Sequence, residues 1–261
     1  MIRTVVLRAA ATVLLTAPAV LSAQNPNPVP VDPSPWKQHA MDRPAPVVVT
    51  PGSYLGPQAP PSDAVVLFDG KSLDQWSSAD PAKGAAKWRL DSGSMIVEAG
   101  TGDIATKRTF GDVQLHIEWS SPSPPKGEGQ DRGNSGVFFM NTYEIQVLDS
   151  YNAATYPDGQ AASIFGQFPP LVNAMRPPRE WQVYDIVFHR PHFDAAGKVT
   201  APARATVFHN GILVQDDVAL LGPTTNGMRA PYAAHADKLP IKLQDHGHPV
   251  RYRNIWVREL P

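Results

Sequence analysis

Between Asp112 and Trp119 the chain alternates strictly, with Val113, Leu115, Ile117 and Trp119 apolar and Gln114, His116 and Glu118 polar. A period of two predicts a β-strand with one face in a core and the other wet. Shorter segments repeat the theme. Ala64-Val65-Val66-Leu67-Phe68 ends at Asp69-Gly70, and Ser94-Met95-Ile96-Val97-Glu98 follows. Gly136 to Met140, Thr142 to Leu148, Trp181 to His189 and Ala203 to Phe208 complete the middle of the chain, while Pro240 to Leu243 and Val250 to Leu260 close it. His209-Asn210-Gly211-Ile212 joins one strand to Leu213-Val214-Gln215, and Asn-Gly is the favoured centre of a type I′ hairpin. Many short strands, turn signals between them and no amphipathic helix of useful length predict an antiparallel sandwich or barrel. Four stretches interrupt the rhythm, namely 121–132, 151–180, 191–202 and 222–239. Loops of that length in a compact domain are usually functional or disordered.

The N-terminal part reads differently. Arg3 and Arg8 precede an apolar run from Ala9 to Val20, and Leu21-Ser22-Ala23 offers a small-residue cleavage site, the layout of a secretory signal peptide over 1–23. The run is too short for a bilayer-spanning helix, and no second hydrophobic span follows, so the mature chain is expected to be exported, periplasmic or secreted, without a transmembrane segment. Residues 24–62 hold eleven prolines and almost no apolar periodicity, which predicts a stiff tether or a surface wrap. Val47-Val48-Val49 and Trp36 are its candidates for docking on the folded domain, 63–261. With no cysteine, that domain is stabilised by its core alone.

Charge narrows the partner class. The net charge is −1 and no run of Lys and Arg occurs, so the footprint of a nucleic-acid binder is missing. A small neutral ligand fits better. The densest polar constellation is Asp131-Arg132-Gly133-Asn134-Ser135-Gly136 followed by Tyr143-Glu144-Ile145-Gln146-Val147-Leu148-Asp149. Glu144 and Gln146 share one sheet face and Tyr143, Ile145 and Val147 the other. A carboxylate beside an amide can grip vicinal hydroxyls, although a solvated strand face would read the same way. A second cluster, Gln244-Asp245-His246-Gly247-His248, could present a metal-binding His pair, but Gly247 and Pro249 predict a turn and no third ligand is nominated. His246 suits proton transfer or hydrogen bonding, because imidazole titrates near neutral pH. Trp76, Trp88, Trp119, Trp181 and Trp256 are candidates for stacking on a sugar, most of them expected in the core.

Taken together, Leu67-Phe68-Asp69-Gly70-Lys71-Ser72-Leu73-x-x-Trp76, Arg132 to Phe138, Tyr143 to Asp149, Glu180-Trp181, Leu243 to Gly247 and Arg253-Asn254-Ile255 resemble the 3-keto-disaccharide hydrolase family over about residues 63–261. The resemblance implies an all-β, concanavalin-like jelly-roll sandwich of two antiparallel sheets, with a small carbohydrate oxidised at C3 bound on the concave face. It nominates Arg132, Asn134, Glu144, Gln146, Gln244 and His246 for the pocket, of which Arg132, Asn134, Gln146 and Gln244 are the candidates for substrate binding and Glu144 and His246 those for catalysis. The stretches 191–202 and 222–239 look longer than the family's typical loops.

Glu144, Gln146 and Asp149 are also spaced like the acidic strand of jelly-roll glucanases. A retaining glycosidase needs carboxyls about 5 to 5.5 Å apart, whereas five strand residues span roughly 16 Å, and Gln146 is no acid. Ordinary two-carboxylate hydrolysis is therefore disfavoured. A C3 ketone acidifies the C2 hydrogen, so one base, Glu144 or His246, can start a β-elimination that water addition completes, with Arg132 or a divalent cation stabilising the enolate. A non-catalytic carbohydrate-binding module and an ordinary glycoside hydrolase remain the competing expectations.

Overall fold

The computed structural model describes residues 25–261; the expected signal peptide lies outside the described residues. Two antiparallel sheets pack face to face. The larger has the strand order Ile212–Ala219, Arg204–His209, Gln182–His189, Val113–Ser120, Arg251–Glu259, Ser94–Ile96 and Arg89–Asp91, with Val65–Phe68 also pairing along Arg251–Glu259. The smaller runs Trp76–Ser78, Ile104–Thr106, Lys242–Leu243, Ser135–Phe139 and Tyr143–Val147. This is the expected all-β jelly-roll sandwich. Its two layers meet through stacked Phe139 and Phe188, 4.5 Å between centroids, and through two hydroxyls that cross the core. Tyr184 donates to the Gln146 carbonyl at 2.8 Å, and Tyr252 to Ser135 Oγ at 2.7 Å. Both tyrosines therefore satisfy their polar tips while filling apolar space.

Alternation places the inward set as expected. Val113, Leu115, Ile117 and Trp119 are buried, as are Tyr143, Ile145 and Val147. The Asn210-Gly211 hairpin is present, with φ of 54° and 80°, the left-handed pair that a type I′ turn requires. The strand after it is longer than the sequence suggested, reaching Ala219, because the run Gln215-Asp216-Asp217 is polar on an edge strand and bends at a bulge. The short strands Trp76–Ser78, Arg89–Asp91 and Ile104–Thr106 were not predicted either, since three residues carry no readable period.

The other correction concerns the face taken to be wet. His116 and Glu118 are fully buried, on the outer side of the large sheet. The proline-rich segment covers them: Tyr54 donates its hydroxyl to Glu118 Oε2 at 2.7 Å, Arg253 reaches the same oxygen at 2.7 Å, and Asn254 bridges Glu118 to the Gln58 carbonyl. Residues 25–62 are thus a wrap rather than a free tether. Val47–Val48 does dock, but by parallel backbone pairing with Val172–Asn173 while its own side chains stay exposed. No described helix is long and apolar enough to cross a membrane.

Candidate active site

The outer face of the smaller sheet carries a cleft of about 510 Å³. Register explains its floor. Lys242 pairs with Phe138, and Phe138 with Glu144, so these three side chains form one row across three strands. Gln244, whose N–H binds the Gly136 carbonyl, continues through Gly136 to Gln146 in a second row. Adjacent strands lie about 4.8 Å apart, so Lys242 and Glu144 stand roughly 10 Å apart at their Cα atoms with the floor between them. Phe138 stands between them, and Gly136, between Gln244 and Gln146, leaves the room that the Glu144 carboxyl occupies. A methyl built on Gly136 would overlap Glu144 Oε1 and lie 2.7 Å from Phe138 Cε2.

Two of the irregular stretches supply the walls. Segment 151–180 folds back along the edge strand Tyr143–Val147, with Ala162 N–H on the Gln146 carbonyl at 2.9 Å and Gln146 N–H on the Ser163 carbonyl at 3.0 Å, so the exposed edge is capped. It brings Tyr156 and Phe165 to the cleft. Segment 222–239 brings Thr224 and Asn226. Thr224 Oγ1 accepts the Glu144 N–H at 3.0 Å and donates to the Thr142 carbonyl at 2.9 Å, locking that wall onto the strand that carries Glu144.

Glu144 is 5% exposed, and its carboxyl has no hydrogen-bond partner among the described residues. Burial pushes its pKa up to about 8; Lys242 pulls it down and Asp103 pushes it further up. Lys242 Nζ lies 2.8 Å from Asp103 Oδ2 and 4.0 Å from the centre of the Phe138 ring. Two of its three donors stay available to a ligand. Asp103 is oriented in turn by the Asp245 N–H, which donates to Oδ1 at 2.9 Å.

Of the six residues singled out in the sequence, five line this cleft: Asn134, Glu144, Gln146, Gln244 and His246. Arg132 does not. Its Nε lies 2.8 Å from Asp149 Oδ2 and its Nη2 donates to the Tyr151 carbonyl at 3.1 Å, because the buried Asp149 carboxyl needs a charged partner. The expected enolate-stabilising role thus has no support from Arg132; the cation that faces the cleft is Lys242, a residue hidden in the sequence inside an ordinary short strand. Gln146 is less free than expected, since its Nε2 donates to Gln130 Oε1 at 2.9 Å and its Oε1 accepts the Val147 N–H at 3.1 Å. Gln244 keeps a buried side-chain oxygen without a partner among the described residues, an acceptor ready for a hydroxyl.

His246 stands at the exposed rim, on the predicted turn. Its ring stacks on His248 at 6.0 Å between centroids, and His248 Nε2 is 3.2 Å from Asp131 Oδ1. No group of three His, Asp or Glu side chains gathers among the described residues. Glu144 is the only carboxyl and His246 the only imidazole lining the cleft, so its donor set does not fit a divalent cation. The tryptophans lie elsewhere: Trp76 and Trp119 in the core, Trp88 against Tyr252, Trp256 on His116 and Trp181 under Arg253. Tyr156 and Phe165, which carried no sequence signal beyond their place in a long loop, are the aromatic wall.

Known proteins agree with this architecture. A candidate glycosyl hydrolase from Parabacteroides distasonis is 47% identical, with a TM-score of 0.75 over 84% of this chain and 93% of that one. A second from the same organism, 16% identical with a TM-score of 0.53, shares the fold. A 3-keto-disaccharide hydrolase of Bacteroides thetaiotaomicron is 24% identical over 256 residues, covering 75% of this chain and 78% of that protein. The family model described as the 3-keto-alpha-glucoside-1,2-lyase-like domain matches residues 63–258, and the chain belongs to that family.

Proposed function

We propose that this is an exported enzyme that cleaves 3-keto-glycosides by proton abstraction at C2. The observation that carries the reading is the solitary Glu144: one buried carboxyl, unpaired among the described residues, with no second carboxyl lining the cleft. Hydrolysis through two carboxylates has no second group here, since Asp149 is committed to Arg132 outside the cleft. Elimination needs only one base. The Glu144 carboxylate takes the C2 hydrogen as a proton, and the C2–H electron pair forms the enolate toward the C3 oxygen. Lys242 is the cation placed to stabilise that oxygen. Collapse of the enolate breaks the C1–O bond, and the departing oxygen takes a proton, for which His246 at the rim is the available donor. Water then adds its hydroxyl to C1 and a proton returns to C2. The net change is hydrolysis of the glycoside.

The family match and the Bacteroides thetaiotaomicron relative support the substrate class. The deciding experiment incubates the purified protein in deuterium oxide with a 3-keto-glucoside and with its unoxidised parent. Release of aglycone from the keto sugar alone, with deuterium at C2 of the product, is expected. Release from the parent sugar would indicate an ordinary glycoside hydrolase, and sugar binding without any release a binding module.

The pH dependence follows from the site. A base held at about 8 is mostly protonated at neutral pH, so with C2 proton abstraction limiting the rate kcat/KM should climb about tenfold per pH unit up to about 8 and then stop climbing. Lys242→Met removes the cation that draws this value down, and the break should move to higher pH. A profile that is flat from about pH 6 to about pH 9 would remove Glu144 as the base.

A further inference from the structure

The proline-rich wrap touches the domain at several places, and one of them is the cleft wall. The His39 ring sits 4.1 Å from Tyr156 and 5.2 Å from Phe165, centroid to centroid. Its backbone N–H donates to Asp158 Oδ2 at 2.9 Å, and its Nδ1 is 3.5 Å from Asp158 Oδ1. Asp158 is itself buried. The neighbouring Gln38 reaches the other wall, its Nε2 donating to the Thr225 carbonyl at 2.5 Å, between the cleft residues Thr224 and Asn226. His39 holds a left-handed φ of 62°, a conformation that costs a residue with a β-carbon and persists where surrounding contacts impose it.

We infer that Gln38 and His39 are positioning residues of the substrate site, tying the Tyr156/Phe165 wall to the Thr224–Asn226 wall and fixing the aromatic pair against which a sugar's C–H face stacks. The inference rests on the reading of this cleft as the substrate site. It also gives the N-terminal segment a role that the family match, which begins at residue 63, does not contain. Mere surface coverage would distribute such contacts without regard to the cleft. The wrap does that elsewhere: Asn27 binds the Gly197 and Tyr232 carbonyls and the Val199 N–H, and none of these three residues lines the cleft. At residues 38 and 39 the contacts fall instead on Tyr156 and Phe165 themselves and on Thr225, the residue between Thr224 and Asn226.

The test uses the full chain and three variants. His39→Ala should raise KM for a 3-keto-glucoside about tenfold, the scale of one lost aromatic packing contact, with kcat changed less than about twofold. His39→Phe, which keeps a ring between Tyr156 and Phe165, should recover most of that loss. Asn27→Ala should lower the melting temperature and leave KM unchanged. Amide hydrogen exchange in segment 156–168 should quicken in His39→Ala and not in Asn27→Ala. Unchanged KM together with unchanged exchange in His39→Ala overturns the inference. The exchange measurement needs no turnover, so a wild type that cleaves nothing would sink the catalytic reading while the behaviour of segment 156–168 still decides the role of His39.

Discussion

Glu144→Gln is expected to lower cleavage of a 3-keto-glycoside by about three orders of magnitude, the scale of a lost general base, and at the same time to make the protein more stable in alkali. The two effects share one cause. Glu144 is held at about 8, above its ordinary 4.5, because burial disfavours the charged form. Between those values the folded chain keeps a proton that the unfolded chain releases. The stability tied to this carboxyl is therefore complete below about 4.5 and is lost as pH rises through about 8. A glutamine cannot ionise, so the variant has no such slope. Its melting temperature should exceed that of the wild type by roughly 5 °C or more at alkaline pH, and match it closely in mild acid. Melting curves at the two pH values check this without any substrate. Full activity in the variant would eliminate Glu144 as the base; loss of activity with an unchanged alkaline melting point would mean that burial does not hold the carboxyl in its protonated form. Such a trade of stability for chemistry is expected at an active site, where a group is kept in an environment that its charged form dislikes.

Gly136→Ala should be nearly as damaging to turnover, about a hundredfold in kcat/KM, while changing the fold little. Gly136 lies in the strand Ser135–Phe139 and is absent from the residues with positive φ, so alanine is compatible with its backbone. What alanine does is crowd Glu144 and Phe138. Its methyl would overlap Glu144 Oε1 and crowd Phe138 Cε2, displacing a carboxyl and a ring that both line the cleft. Comparing kcat/KM with the melting temperature separates the two effects. A variant that melts normally but turns over slowly supports a site that depends on where the Glu144 carboxyl stands, whereas normal turnover would show that the carboxyl need not keep that place. Glu144→Gln tests the charge of the site and Gly136→Ala its shape, so the pair addresses chemistry and geometry independently.

Lys242 shows where sequence reading stops. In the chain it is one residue of Pro240-Ile241-Lys242-Leu243, with no distinguishing neighbour, and the nearer candidate for a cation was Arg132, beside Asn134 in the densest polar motif. Pairing of Lys242 with Phe138, and of Phe138 with Glu144, turns an isolated lysine into the positive wall of a cleft. Arg132 is drawn the other way by Asp149, whose burial is not legible at the polar end of the segment Tyr143 to Asp149. Tyr156 and Phe165 were invisible for a related reason. They sit in a loop without period, and only its return along the edge strand brings them over Glu144.

Local regularities were legible because they depend on near neighbours. Alternation at Val113 to Trp119 fixed which side chains face inward, the two-residue spacing of Glu144 and Gln146 put them on one face, and Asn210-Gly211 specified its own turn, since each follows from backbone geometry within a few bonds. The class of fold and the strand bearing Glu144 belong to that category. Whether a polar face meets water or a covering segment is decided by residues far away in the chain. His116 and Glu118 are buried by Tyr54, Arg253 and Asn254, and the cleft takes its lining from three separate irregular stretches, through Gln130, through Tyr156 and Phe165, and through Thr224 and Asn226. Burial, and with it the pKa of Glu144, is a sum over those remote neighbours, so only the tertiary structure could set the chemistry of a carboxylate whose position the sequence had already given away.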